Sequence, residues 1–101
     1  MYVIKATIPL NPDEREAGVE AARELARNCR EHEDGVIDYR VAVDVDDENV
    51  LRFFEQYEDE SAVEAHGETD HYQEFQKQIP EFIGGEAEVV RFEVSEATEL
   101  Q

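Results

Sequence analysis

One cysteine, Cys29, stands in 101 residues, and there is no tryptophan. A lone cysteine excludes an internal disulfide and argues against any Cys-based zinc cluster. Lysine is nearly absent too. Only Lys5 and Lys77 occur, beside seven arginines. No run approaches the ~20 apolar residues of a membrane helix. The first residues enter a strand-like run with no basic segment ahead of it, so no secretory signal is expected and the chain reads as cytoplasmic. There is no G-x-S-x-G elbow and no cysteine with a convincing histidine partner, so no nucleophile motif stands out. The pair Gly84-Gly85 precedes a strand rather than a helix. Rossmann and P-loop nucleotide binding are therefore unsupported.

What the chain has in excess is negative charge. Twenty-seven Asp and Glu oppose nine Lys and Arg, for a formal net charge of −18. A field of that sign repels phosphate backbones and anionic lipid surfaces, which excludes nucleic acids and membranes as expected partners. The acids are spread over helices, turns and strand ends rather than gathered in a tail. Dispersed acids with scarce lysine suit a high-salt cytoplasm. At molar salt the Debye length falls to about 3 Å and the self-repulsion is screened. The expectation is a halophilic source. Hydrophobic residues make up 41% of the chain and recur along its length, so it should fold as one domain. A chain this short buries only about 60–70% of its unfolded surface, which makes a partner subunit useful.

The pattern of apolar residues sets the elements. YVIKATI (2–8) alternates and is read as a strand. Asn11 and Pro12 then start a helix from about 12 to 32, with Val19, Ala22, Leu25, Ala26 and Cys29 on one stripe. Gly35 is available for a left-handed stop. VIDYRVAVDV (36–45) and VLRFFEQYE (50–58) form a hairpin. In the first of these, Ile37, Tyr39, Val41, Val43 and Val45 share a face. Asp59 caps a short helix ended by Gly67. Thr69 caps the next, which carries Tyr72, Phe75, Ile79 and Phe82 on one side and should kink or end at Pro80. AEVVRFEV (87–94) is the last strand. The order β-α-β-β-α-α-β predicts an α+β, ferredoxin-like fold with an antiparallel sheet and helices on one face. Phe53 and Phe54 must then point to opposite faces. Apolar groups on the uncovered face predict a homodimer joined through its sheets.

Chemistry concentrates in YEDESAVEAHGETDHYQEF (57–75), which holds two of the three histidines. His66 follows Val63 and Ala62 on the inward stripe. It is either a core-edge residue bonded to a backbone carbonyl or a pocket acid, base or donor. His71 sits in the first turn of the next helix, where the helix dipole favours a neutral imidazole. It is either an exposed residue or a donor or base at a pocket mouth. The spacing H-x4-H across a helix break is not a standard metal pattern, so no metal is expected there. Phe53, Phe54, Tyr57, Tyr72, Phe75 and Phe82 either fill a core or line a pocket for a flat ligand.

YVIKATIPLNPDE, EHEDGVIDYRV, the FFEQYEDESAVEAHGETDHYQEF stretch and VVRFEV together resemble the antibiotic biosynthesis monooxygenase family of the dimeric α/β-barrel superfamily. The resemblance covers about residues 2–94, a single domain with a short tail, and with the acidic surface it suggests a haloarchaeal member. Glu55, Tyr57, Ala62, His66, His71, Tyr72 and Phe75 match the family pattern. The resemblance implies a homodimer and a pocket between sheet and helices. It implies oxidation of a phenol or quinol by dioxygen without metal, flavin or other cofactor. In that reading His66, His71 and Tyr57 are catalytic, and Phe53, Tyr72 and Phe75 are pocket walls. Haem-degrading relatives carry a Trp and an axial His; this chain has no Trp, and Gln76 lies near the expected His. A second branch isomerises phosphorylated sugars, for which Arg40 and Arg52 are the scarce cationic candidates. A third possibility is a non-catalytic dimeric protein that binds a small ligand.

Overall fold

The computed structural model describes all 101 residues. Strand β1 (Tyr2–Pro9) leads through a 3-10 turn (Pro12–Glu14) into α1 (Arg15–His32). Strands β2 (Val36–Val43) and β3 (Val50–Tyr57) follow, then α2 (Glu60–Glu68), α3 (Asp70–Phe82) and β4 (Glu88–Glu93). The sheet order is β2-β3-β1-β4, and every neighbouring pair is antiparallel. This is the expected α+β, ferredoxin-like arrangement. Local capping explains where the helices begin. Asn11 accepts from the backbone N–H of Asp13, Asp59 from Ala62, and Thr69 from Tyr72, each satisfying an orphan donor of a first turn.

Register sorts the side chains. Ile4 pairs with Glu55, Ala6 with Phe53, and Ile8 with Leu51, and Tyr39 lies opposite Glu55. These share the helix-covered face. Leu51 and Tyr57 are fully buried there, with Ala22 and Cys29 of α1 packed into the same core. Burying each large side chain of this kind contributes roughly 1.5–3 kcal/mol. Phe54, Val90 and Phe92 project from the other face and are 41%, 41% and 46% exposed. Phe53 and Phe54 thus diverge as alternation requires.

Several local expectations are corrected. The first helical turn is 3-10, so α1 proper starts at Arg15. A bulge between Val36 and Asp38 takes Ile37 out of the Tyr39 face, and Ile37 is half exposed. Val45 lies beyond β2 and is solvated. Gly67 is inside α2 rather than past it, and α3 continues through Pro80 to Phe82. Gly35 has no positive φ. Its value is space, because a Cβ there would run into the Ala62 side chain on α2. That close approach brings the end of α1 against α2, and Cys29, Glu33 and His66 meet at this junction.

Candidate functional site

Between the helices and the sheet lies a cavity of about 330 Å³. Ala6, Ile8, Phe53, Phe75 and Ile79 are among its apolar walls, and Val89, 66% exposed, stands at its edge. Its polar groups are few: Tyr39, Glu55, His66, Tyr72 and Gln76. No lysine or arginine lines it.

His66 is the hub. It is 5% exposed, and its ring packs against Tyr72 at 4.7 Å and against Tyr39 and Tyr57 at 5.5 Å each. Its Nδ1 lies 3.0 and 3.1 Å from the two carboxylate oxygens of Glu33. The partner of His66 is therefore a side-chain carboxylate and not a backbone carbonyl. Glu33 sits one residue past α1 in extended conformation. Its second histidine contact is His71 Nε2, 2.6 Å away. One carboxylate therefore bridges both histidines of the motif. Burial works to raise the Glu33 pKa, but the hydrogen bonds from His66 and His71 outweigh it and hold the group below the ordinary carboxylate range. An ionised carboxylate only accepts, so Nδ1 of His66 donates to it and Nε2 is the bare, basic nitrogen. Nε2 has no partner within the chain, and no fully buried polar atom is left unpaired. Since His66 lines the cavity, Nε2 is the atom a ligand would meet. The arrangement resembles the carboxylate–imidazole half of a catalytic triad, with the imidazole tautomer fixed from behind.

Cys29 also reaches this cluster, with Sγ 3.8 Å from His66 Nδ1. Its histidine partner was invisible in the sequence, because 37 residues separate the two. Burial and the Glu33 carboxylate keep Cys29 far above the ordinary thiol pKa, so it is a thiol here and not a nucleophile. A second buried carboxyl, Glu55, accepts a hydrogen bond from the Tyr57 hydroxyl at 2.6 Å. Burial raises its pKa, and the Tyr57, Tyr39 and His66 groups offset this only in part. Burial, followed by the neighbouring Glu55 carboxylate, pushes the Tyr57 and Tyr72 hydroxyls upward; both remain neutral phenols.

The expected site residues divide accordingly. His66, Phe53, Tyr72 and Phe75 converge on the cavity. His71 stands behind His66 on Glu33 and lines a separate, smaller depression. Tyr57 is wholly buried and engaged with Glu55 rather than lining the cavity. Arg40 and Arg52 are outside it altogether. Register places both on the uncovered sheet face, opposite Phe54 and Ala42, where they pair with Asp38 and Asp44. Glu33, which ties the site together, is not among the residues that the sequence pattern points to. Its only sequence signal was its place in EHEDG, one helical turn after Cys29.

Comparison with known proteins agrees with this architecture. Residues 1–78 match the family model described as "Antibiotic biosynthesis monooxygenase". The Bacillus subtilis protein named "Putative monooxygenase YcnE" is 34% identical over 96 residues, covering 95% of this chain and all of that one. Two solved structures share the fold. One, a "Putative antibiotic biosynthesis monooxygenase from Nitrosomonas europaea", has a TM-score of 0.85 at 24% identity and covers 95% of this chain and 100% of its own. The other, a protein of that description from Deinococcus radiodurans, has a TM-score of 0.89 at 16% identity and covers 100% and 99%. The family-model match and the full-length similarity to the Bacillus protein establish that the chain belongs to the antibiotic biosynthesis monooxygenase family.

Proposed function

We propose that the protein is a cofactor-independent monooxygenase that oxidises a small phenol or quinol with dioxygen. The observation that carries this reading is the bare Nε2 of His66, backed by Glu33, at the wall of an apolar cavity without cations. Nε2 removes the substrate's phenolic proton. The electron-rich phenolate then passes electrons to dioxygen, one oxygen atom adds to the ring carbon, and the other leaves as water. A phenol plus O2 thus gives a quinone plus H2O, with no outside reductant. The developing imidazolium is stabilised by Glu33 in a site of low dielectric. Tyr72 and the Phe53–Phe75 pair, with centroids 6.0 Å apart, suit a flat aromatic ligand.

A phosphorylated substrate fits less well. Taking a phosphate into a cavity that holds Glu55 and no Lys or Arg would leave its charge unpaired. The test is dioxygen consumption with a panel of hydroquinones and phenols. Wild type should consume dioxygen, and His66→Ala should lose at least about 10²-fold in rate, the usual contribution of a general base. Equal rates would remove His66 from the mechanism. Absence of consumption by wild type, with ligand-induced stabilisation, would favour a binding protein.

We also propose that two chains associate through the uncovered sheet face, where Phe54, Val90 and Phe92 leave apolar surface in water. Light scattering should give about twice the 11.6 kDa chain mass; a monomer at working concentration would overturn this.

A further inference from the structure

The side chains behind His66 have a second capacity that the oxidation chemistry does not use. Cys29 Sγ, a Glu33 carboxylate oxygen, His66 Nδ1 and His71 Nε2 all lie within 4.8 Å of one another. They come from the last turn of α1, the residue just past it, the end of α2 and the first turn of α3. Cys29 and Glu33 are four residues apart, and the Glu33 N–H still bonds the Cys29 carbonyl at 3.3 Å, so they face the same way. One thiol, one carboxylate and two imidazoles offer sulfur, oxygen and nitrogen donors to a single point.

We propose that Cys29, Glu33, His66 and His71 form a binding site for one thiophilic divalent transition ion of the Zn2+ class. The spacing supports it. Zinc–sulfur bonds of about 2.3 Å and zinc–nitrogen bonds of about 2.0–2.1 Å place tetrahedral donors roughly 3.3–3.6 Å apart. Here His66 Nδ1 lies 3.8 Å from Cys29 Sγ and 3.0 Å from Glu33 Oε2. The 2.6 Å contact between His71 and Glu33 is shorter than that spacing and must open as the ion enters. Burial of the cluster excludes hard, strongly hydrated ions such as Mg2+, which keep their water and prefer all-oxygen sites. On binding, the Cys29 thiol proton leaves to solvent, the ring protons on His66 Nδ1 and His71 Nε2 pass through solvent to the other nitrogen of each ring, and the ion takes the three vacated places.

The ion would change the chemistry of the cavity. A metal on Nδ1 leaves the other ring nitrogen protonated, so Nε2 becomes a donor and can no longer accept a proton. Occupancy then arrests the base proposed above; this consequence rests on that reading, whereas binding does not. The site is a metal-sensitive brake built from the same histidine.

The test uses EDTA-treated full-length protein, titrated with Co2+ in molar KCl so that the acidic surface competes weakly. One Co2+ per chain should bind, with a sulfur-to-cobalt charge-transfer absorption and the intense visible bands of a four-coordinate ion. Cys29→Ser should abolish the charge-transfer band. His71→Ala, at a partly exposed position, should weaken binding by at least about 10–100-fold. Circular dichroism checks that both variants are folded, and Zn2+ but not Mg2+ should displace Co2+. Binding without a charge-transfer band, or binding unchanged in folded His71→Ala, would mean only surface carboxylates are involved and would overturn the proposal. Dioxygen consumption is measured separately with and without Zn2+, so failure of the oxidation reading leaves the binding result standing.

Discussion

Replacing Glu33 by Gln keeps the shape of the side chain while removing its charge and one of its two acceptor oxygens. In the wild type Oε2 takes both His66 and His71, at 3.0 and 2.6 Å, Oε1 lies 3.1 Å from His66 Nδ1, and the carboxylate side chain is 8% exposed. A hydrogen bond to a charged group contributes about 1.5–3 kcal/mol, and a donor left unpaired in a buried site costs about 1–3. A Gln oxygen in the Oε2 place can still accept from both imidazoles, now without the charge, but its amide nitrogen takes the Oε1 place and faces the His66 Nδ1–H. Two charge-assisted bonds are weakened and one donor–donor mismatch is created. Against this, the variant no longer buries a charge, which recovers part of the cost. The net expectation is a loss of about 2–3 kcal/mol. For a chain near 100 residues each kcal/mol moves Tm by about 4–8 °C, so Tm should fall by roughly 8–24 °C. The assay is thermal unfolding of metal-free protein at pH 7 in molar KCl, followed by circular dichroism. The variant should also lose dioxygen consumption, because Gln no longer fixes the His66 tautomer that leaves Nε2 basic. A Tm within about 2 °C of wild type would refute the view that Glu33 organises the cluster. Undiminished turnover would refute its role behind His66.

Two further outcomes follow from the charges. The Glu55 carboxyl has a raised pKa in the folded state, so folding favours its protonated form, and the stability it contributes is lost as pH rises from the unfolded value of about 4.3 through the raised folded one. Glu55→Gln keeps an acceptor for the Tyr57 hydroxyl and cannot ionise; its Tm advantage over wild type should grow between about pH 4 and pH 8, and a difference that stays flat would refute the shift. Most of the 27 acids have no cationic partner, since the Arg–carboxylate pairs are only Arg23–Glu20, Arg40–Asp38 and Arg52–Asp44. Raising KCl from about 0.01 M to 1 M shortens the Debye length from about 30 to 3 Å and should raise Tm; no rise would dispose of the salt-adapted reading.

Alternation and helical spacing in the sequence were enough to name the seven main elements and their order, because each depends on residues close together in the chain; which sheet face the helices cover was left open by the sequence. Asn11, Asp59 and Thr69 marked helix starts for the same reason. The errors fell where distant parts meet. Gly35 looked like a left-handed stop, but its role is set by Ala62, which the chain brings against it only after the hairpin has formed. The bulge at Ile37 depends on pairing with Tyr57 and Gln56. The sign of Arg40 and Arg52 suits an anionic ligand, but strand register turns both to the uncovered face.

The site shows the same division. Sequence by itself determined which stretch carries the histidines, that His66 points inward from a short helix, and that aromatics surround it. Only the tertiary structure decided what His66 touches. Glu33 and Cys29 lie 33 and 37 residues before it, and no local pattern links them to it. Packing of α1 against the α2–α3 corner joins them, and that packing turns two ordinary helix-end histidines into one carboxylate-bridged pair. A histidine's position can be read from periodicity, but its proton is placed by a neighbour that folding alone supplies.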